Sequence, residues 1–308
     1  MNGEAALLLL ADSRLPAGGH AHSGGVEEAV RRGVVTGTGD LARFLRGRLA
    51  TAGLVTAALA AAACELAVSE TAAETVPAGS GGADRERGTD RERDTGRERD
   101  TGRERGSDGA DRERGAARDP VASPAKGVTD DATDDATDEA AGEAVSGMEL
   151  WRRLDAEADA RTASPAQREA SRTQGRLLLR TARRMWPSAV LDTLARAVPE
   201  GPHHPVALGA AGASAGCTPR QAALTAAYTS VTAPATAAVR LLGLDPVTVH
   251  RLLADLAPAI EDAARAACAS LGDAAGPAGW HTLPGHGAPA LDLLAEGHLT
   301  NPMKLFVS

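Results

Sequence analysis

The 308-residue chain is 43% hydrophobic, 24% charged and 2% aromatic, and its formal charge is −8 at pH 7. These values suit a soluble protein of one or two domains, and scarce aromatic residues beside abundant alanine, leucine, arginine and glutamate favour an all-α fold. Few aromatic rings disfavour a platform for stacking single-stranded nucleic acid, and we expect neither a nucleic-acid nor a membrane partner. Most of the negative charge lies in residues 80–146, so the overall charge by itself says little about partners.

The amino-terminal quarter predicts helices around a glycine-rich turn. The short leucine run at residues 7–10 lacks a preceding basic region, so we expect no signal peptide. Asp40 precedes an apolar stripe and is predicted to cap a helix. We interpret the alanine-rich stretch at residues 49–64 as a buried helix and not a membrane span, because alanine contributes little transfer free energy.

Residues 75–146 differ in composition from their surroundings. Arg-Glu-Arg recurs from residue 85 to residue 112, and residues 80–146 hold 12 Lys/Arg against 19 Asp/Glu. With almost no large apolar side chains, this segment is predicted to be a disordered, low-complexity insertion in a surface loop, with an acidic interaction or metal-buffering segment as the alternative. Residues 1–74 and 147–308 are then two parts of one bundle of about ten helices.

Cap residues predict most of the later helices. Ser164-Pro165, Ser188, Thr218-Pro219 and Asp245-Pro246 each place a capping side chain before a helical stretch. Small residues at 207–213 predict a helix face that packs very closely on its neighbours. A final short helix at residues 291–295 is expected to lead into an extended tail.

Enzymatic chemistry finds little support. Ser214 lies in a GxSxG pattern, but a hydrolase nucleophile elbow requires a preceding strand, and the flanking sequence predicts a helix. No phosphate-binding loop is present. The three cysteines form no CxxC pair, which argues against a disulfide scaffold or structural zinc and fits a reducing cytosol. We therefore predict no catalytic residue and no cofactor.

His20 and His22 in the glycine-rich turn are weak metal candidates. They lack the HExxH spacing and a cysteine partner, so a preformed metal centre is not expected. Imidazole nevertheless suits nickel and zinc, which leaves weak, transient or intersubunit binding open.

The turn at residues 15–27 and the tail at residues 303–308 remain to be explained. Gly18 and Gly19 in the turn permit positive φ or the close approach of another backbone, so the turn is either a tight interhelical connection or a docking surface. The tail is too short for a core element, and we expect it to fray or to be ordered by what it binds.

Several motifs in the same order resemble the UreF family of urease accessory proteins. They cover the chain outside residues 75–146 and lie at residues 15–27, 169–171 with 175–178, 204–209, 238–241, and 289–292 through 304–308. The resemblance implies a cytosolic, non-enzymatic, helical homodimer. Such a protein binds the accessory protein UreD, also called UreH, recruits and regulates the GTPase UreG, and so assists nickel insertion into apo-urease.

The resemblance also suggests which residues contact partners. In the tail they are Lys304, Leu305, Phe306 and Ser308, with Phe306 as the apolar anchor. In the turn they are Pro16, Gly18, Gly19, His20, His22 and Glu27, and on a later helix Arg240 matches a motif position.

The match is imperfect at both ends. The family usually ends Arg-Leu-Phe-Arg-Ser, whereas Lys304 and Val307 replace both arginines here. His20 and His22 stand where Phe and Tyr are usual, which suggests retained packing, pH sensitivity or metal affinity. A direct nickel-binding chaperone that uses these two histidines is the alternative function.

Overall fold

A computed structural model describes residues 3–12, 14–16, 21–75, 135–274 and 276–307. Within these ranges the secondary structure is helical, with no strand. The α-helices are α1 (Gly3–Ala11), α2 (Val26–Arg31), α3 (Thr38–Arg48), α4 (Leu54–Thr75), α5 (Asp135–Ala160), α6 (Pro165–Met185), α7 (Ala189–Ala197), α8 (His204–Ser214), α9 (Pro219–Leu242), α10 (Pro246–Ala274) and α11 (Pro289–Leu299). The predicted all-α fold is confirmed, with eleven α-helices in the described ranges where about ten were expected.

Two short helices of other types complete these ranges. A π-helical turn, Leu49–Gly53, joins α3 to α4, and a 3₁₀ helix, Pro277–Thr282, precedes α11. One compact unit contains Met1–Val76 and Thr137–Ser308, and the second, Pro77–Ala136, lies almost entirely outside the described residues.

The predicted insertion can be compared with the structure only at its edges. α4 ends at Thr75, where the insertion was predicted to begin. α5 begins at Asp135, so its first turns extend into the stretch assigned to the insertion, where alanine and glutamate have high helix propensity. Residues 76–134 lie outside the described residues.

Helix α4 is the centre of the bundle, because residues 57–64 are buried on every side. It packs against α8, α9 and α10. The stretch Thr38–Ala73 is long and apolar enough to cross a membrane by length and composition, but 67% of its most apolar window is buried inside the protein. That burial confirms the interpretation of this stretch as a core helix.

The predicted caps are confirmed for α6, α7 and α9. Ser164 Oγ accepts a hydrogen bond from the N–H of Gln167, and Ser188 Oγ accepts one from Leu191. Thr218 forms a reciprocal capping box with Gln221. These local interactions fix where each helix begins.

The predicted cap at Asp40 is wrong by three residues. α3 begins at Thr38 after Gly37, and Asp40 lies in the first turn. Its carboxylate instead accepts hydrogen bonds from the N–H (3.0 Å) and the hydroxyl (2.6 Å) of Thr36. The side chain therefore stabilises the helix start by reaching backward.

The last helix is longer than predicted. α11 spans Pro289–Leu299, whereas the sequence indicated residues 291–295. Three of its side chains, Leu291, Leu294 and His298, are buried at helical spacing. This buried face positions the chain end described next.

Candidate functional site

The C-terminal strip, residues 301–307, lies against the first turn of α2 and the segment that leads into it. The N–H of Leu305 donates to Oε1 of Glu27 (2.6 Å), and the N–H of Phe306 donates to Oε2 of the same carboxylate (3.2 Å). Glu27 is 5% exposed. A buried carboxylate that accepts two successive amides holds the strip by charge-assisted hydrogen bonds.

Three further contacts complete the clamp, as we call the set of interactions that holds the strip. The N–H of Val307 donates to the carbonyl oxygen of Ala21 (2.7 Å). His298 Nε2 lies 3.2 Å from the carbonyl oxygen of Phe306, and His298 Nδ1 lies 3.5 Å from Glu27 Oε2. The sequence led us to expect a tail that frays or is ordered by a binding partner. In the structure the tail is ordered by its own chain.

Glycines and a buried arginine shape the turn that receives the strip. Gly24 and Gly25 have φ of 60° and 89°, a conformation that residues with side chains rarely adopt. Arg48 Nη1 donates to the carbonyl oxygen of Gly24 and Nε to that of Ser230, each at 2.8 Å. Burial lowers the pKa of Arg48 to about 10. The turn is therefore tied to α9 through one guanidinium.

The neighbouring acid, Glu28, stabilises α2 itself. Its fully buried carboxylate accepts hydrogen bonds from Arg31 Nε and Arg32 Nε, both at 2.6 Å. The hydrogen bond from Arg31, opposed by burial and assisted by Arg32, lowers the pKa of Glu28 to about 2. The Glu28 carboxylate is thus ionised across the physiological pH range.

We expect Glu28→Gln to remove part of the acid dependence of stability. A depressed carboxyl pKa contributes stability that is complete above the usual value near 4.5 and is lost as the pH falls toward 2. Urea unfolding midpoints of the parent and the variant, measured from pH 7 to pH 2.5, should differ most at neutral pH and converge in acid. A constant offset between the two curves would contradict this role.

Phe306 is the one buried side chain among residues 301–307 of the strip. Phe306 is 8% exposed, whereas Met303 is 84%, Leu305 76% and Val307 57% exposed. Phe306 was predicted to anchor a partner, and in the structure it packs into the core of its own chain. The apolar side chains that face outward are its neighbours.

The structure brings together several of the predicted contact residues. Glu27, Leu305 and Phe306 touch directly, and His22 and Phe306 line one cavity of about 860 Å³. Lys304 is exposed in the same strip. The described part of the predicted turn therefore lies against the described part of the predicted tail.

The remaining predicted contact residues lie outside the clamp or outside the described ranges. Arg240 is exposed on α9 and lines the same cavity. Pro16 is exposed, and its carbonyl oxygen accepts a hydrogen bond from the hydroxyl of Thr181 on α6 (3.0 Å). Four predicted contact residues lie outside the described residues: Gly18, Gly19, His20 and Ser308.

The metal candidate His22 is buried beside His204 at the start of α8. Burial, together with the nearby His22, lowers the pKa of His204 to about 4. In the described part of the chain, no three or more His, Cys, Asp or Glu residues are grouped so that they could hold a metal ion. His20, the second candidate, lies outside the described residues.

Ser214 closes α8 and does not follow a strand. Its hydroxyl lies 2.8 Å from that of Ser188 and donates to the carbonyl oxygen of Ala210. The predicted helical context of the GxSxG pattern is confirmed.

Sequence reasoning missed His298. It is 1% exposed and contacts both sides of the clamp, but the sequence around it carries no local signal for that role. Its helical spacing from Leu291 and Leu294 was the available indication that it faces inward.

Comparison with known proteins agrees with this architecture. The UreF family model matches residues 135–257. The chain is 37% identical over 308 residues to a urease accessory protein UreF of Mycolicibacterium vanbaalenii, with all of both chains covered. It is 36% identical over 302 residues to the UreF of Mycobacterium sp. strain JLS, covering 98% of this chain and 97% of that protein. The chain therefore belongs to the UreF family of urease accessory proteins.

Proposed function

We propose that this chain is a scaffold that binds UreD (UreH) through the C-terminal strip, and that the pair recruits and regulates the GTPase UreG on apo-urease during nickel insertion. The observation that carries the proposal is the exposed apolar set Met303, Leu305 and Val307. An exposed apolar cluster indicates an interaction surface. Because Glu27 and Ala21 already hold the strip backbone, binding costs less conformational entropy.

Helix α11 also exposes apolar side chains. Leu293 is 65% exposed and Leu299 is 54% exposed on the helix that leads into the strip. The strip lacks the two arginines usual in the family, so its contact with UreD depends mainly on these apolar groups. We accordingly expect the interaction to change little with salt concentration.

We expect Leu305→Ser to weaken UreD binding by at least about tenfold, the effect of truncating a buried interface side chain. Val247→Ser on α10 is the matched control, because Val247 and Leu305 are both 76% exposed. Co-purification followed by calorimetric titration with UreD measures both variants against the parent chain. Unchanged affinity for Leu305→Ser and for a chain lacking residues 303–308 would exclude the strip from the contact.

The later steps of the proposed assembly have separate tests. Light scattering on the purified chain should give the mass of a homodimer. The complex with UreD should retain UreG and change its rate of GTP hydrolysis, whereas the chain with Leu305→Ser should not. Urease activity in a cytoplasmic extract of a strain lacking this gene, with and without added nickel, tests the need for the scaffold as a whole.

A further inference from the structure

His298 faces two hydrogen-bond acceptors. Nε2 lies 3.2 Å from the carbonyl oxygen of Phe306, and Nδ1 lies 3.5 Å from the carboxylate of Glu27. A neutral imidazole carries one N–H, so it can donate to one of these groups and must turn a lone pair toward the other. Nδ1 is buried and makes no hydrogen bond in this arrangement. The imidazolium form alone donates toward both acceptors.

Glu27 cannot take the proton without weakening the clamp. Its two oxygens accept the N–H groups of Leu305 and Phe306, and a charged acceptor makes the stronger hydrogen bonds. We propose that protonated His298 and ionised Glu27 form a latch for the C-terminal strip, so that His298 docks the strip when it binds a proton and frees it when it loses the proton.

The other charged groups of α2 are already paired. Arg32 approaches Gly297, next to His298, which on its own would disfavour a second positive charge. Its guanidinium and that of Arg31 are neutralised in part by Glu28. Glu27 is the carboxylate of α2 that faces the imidazole.

The charged groups on the other elements around α11 have partners of their own and do not take the place of Glu27 beside His298. Glu296 accepts hydrogen bonds from Ser164 and from the N–H of Ala166 at the start of α6 and is influenced by Arg168, and Asp292 accepts one from Gln167. Across the cavity, Arg48 is engaged by backbone carbonyl groups, and His22 lines the same wall. Lys304 in the strip is exposed.

The latch makes docking of the strip dependent on pH. Histidine side chains change charge between about pH 5 and pH 8. Docking is complete when His298 carries the proton that lets it donate to both acceptors, and it is lost in the neutral form. If the strip binds UreD as proposed above, proton uptake also sets how rigidly the exposed apolar side chains are presented.

Amide exchange in the full chain, followed by NMR from pH 6 to pH 8, tests the latch without any partner. After division by the intrinsic exchange rates, the protection of the Leu305, Phe306 and Val307 amides should fall by up to about tenfold per pH unit, the limit for one linked proton. Amides in α4 are the internal reference and should keep their protection.

Two variants test whether His298 is the group whose proton controls docking of the strip. His298→Gln keeps an N–H donor for the Phe306 carbonyl group but does not titrate, so the pH dependence should disappear. Glu27→Gln should lower protection of the strip at every pH and also remove the slope. Circular dichroism verifies that each variant is folded.

Amide protection of the strip that does not change with pH in the parent chain would overturn the proposal. So would a pH dependence that persists in His298→Gln, or full protection of the strip in Glu27→Gln. Because no partner is present, these outcomes are independent of whether Leu305→Ser affects UreD binding.

Discussion

Replacing Gly209 by alanine is expected to lower the free energy of unfolding by about 3 kcal/mol or more. Gly209 lies in α8 where that helix crosses α4. A Cβ atom there would lie 2.3 Å from the carbonyl oxygen of Ala60, 2.6 Å from Cβ of Ala63 and 2.8 Å from the amide nitrogen of Cys64. Two of these atoms are backbone, so the helices themselves must separate to accept one methyl group.

Gly272→Ala is the matched control for this substitution. Gly272 lies in α10, and nothing is within 4 Å of a Cβ built there. Alanine should stabilise that helix by about 0.5–1 kcal/mol, because glycine loses more backbone entropy on folding. Urea and thermal unfolding compare the three proteins, and Gly209→Ala should lower the midpoint by about 6–12 °C. If both variants are stabilised, α4 and α8 are not in backbone contact.

The sequence alone was sufficient to predict features that depend on residues close together in the chain. Side-chain caps at Ser164, Ser188 and Thr218 satisfy amides only three positions away, so each helix start follows from a short pattern. The small residues of α8 likewise predicted close packing, and the structure shows what they pack against: the buried alanine-rich face of α4.

The sequence alone could not predict contacts between segments that are far apart in the chain. Glu27 and Leu305 are 278 positions apart, and no local pattern pairs a carboxylate with amides at that separation. Both residues were singled out, but only as separate parts of a turn and a tail. Phe306 shows the same limit, because an aromatic residue in a short tail fits a partner's pocket and its own core equally well.

A buried ionic cluster at the start of α8 was also missed, because its members come from three segments. Asp155 on α5 is 4% exposed, and its carboxylate accepts hydrogen bonds from the N–H of His203 (2.7 Å) and from Arg172 Nη1 (2.9 Å). Arg172 also donates to the carbonyl oxygen of Gly201 and to Asp159. Burial lowers the pKa of His203, which favours the neutral imidazole in this cluster.

Asp155→Ala is therefore expected to cost about 3 kcal/mol or more in the free energy of unfolding, because it leaves a guanidinium without its most buried partner and an amide without an acceptor. Asp155→Asn keeps one acceptor oxygen and should lose less. Asp159→Asn is the control within the same cluster: Asp159 has a side chain that is 44% exposed, and its contribution should stay below about 1 kcal/mol. Urea unfolding at pH 7 ranks the three variants, and an equal loss for Asp155→Ala and Asp159→Asn would show that burial does not set the strength of this cluster.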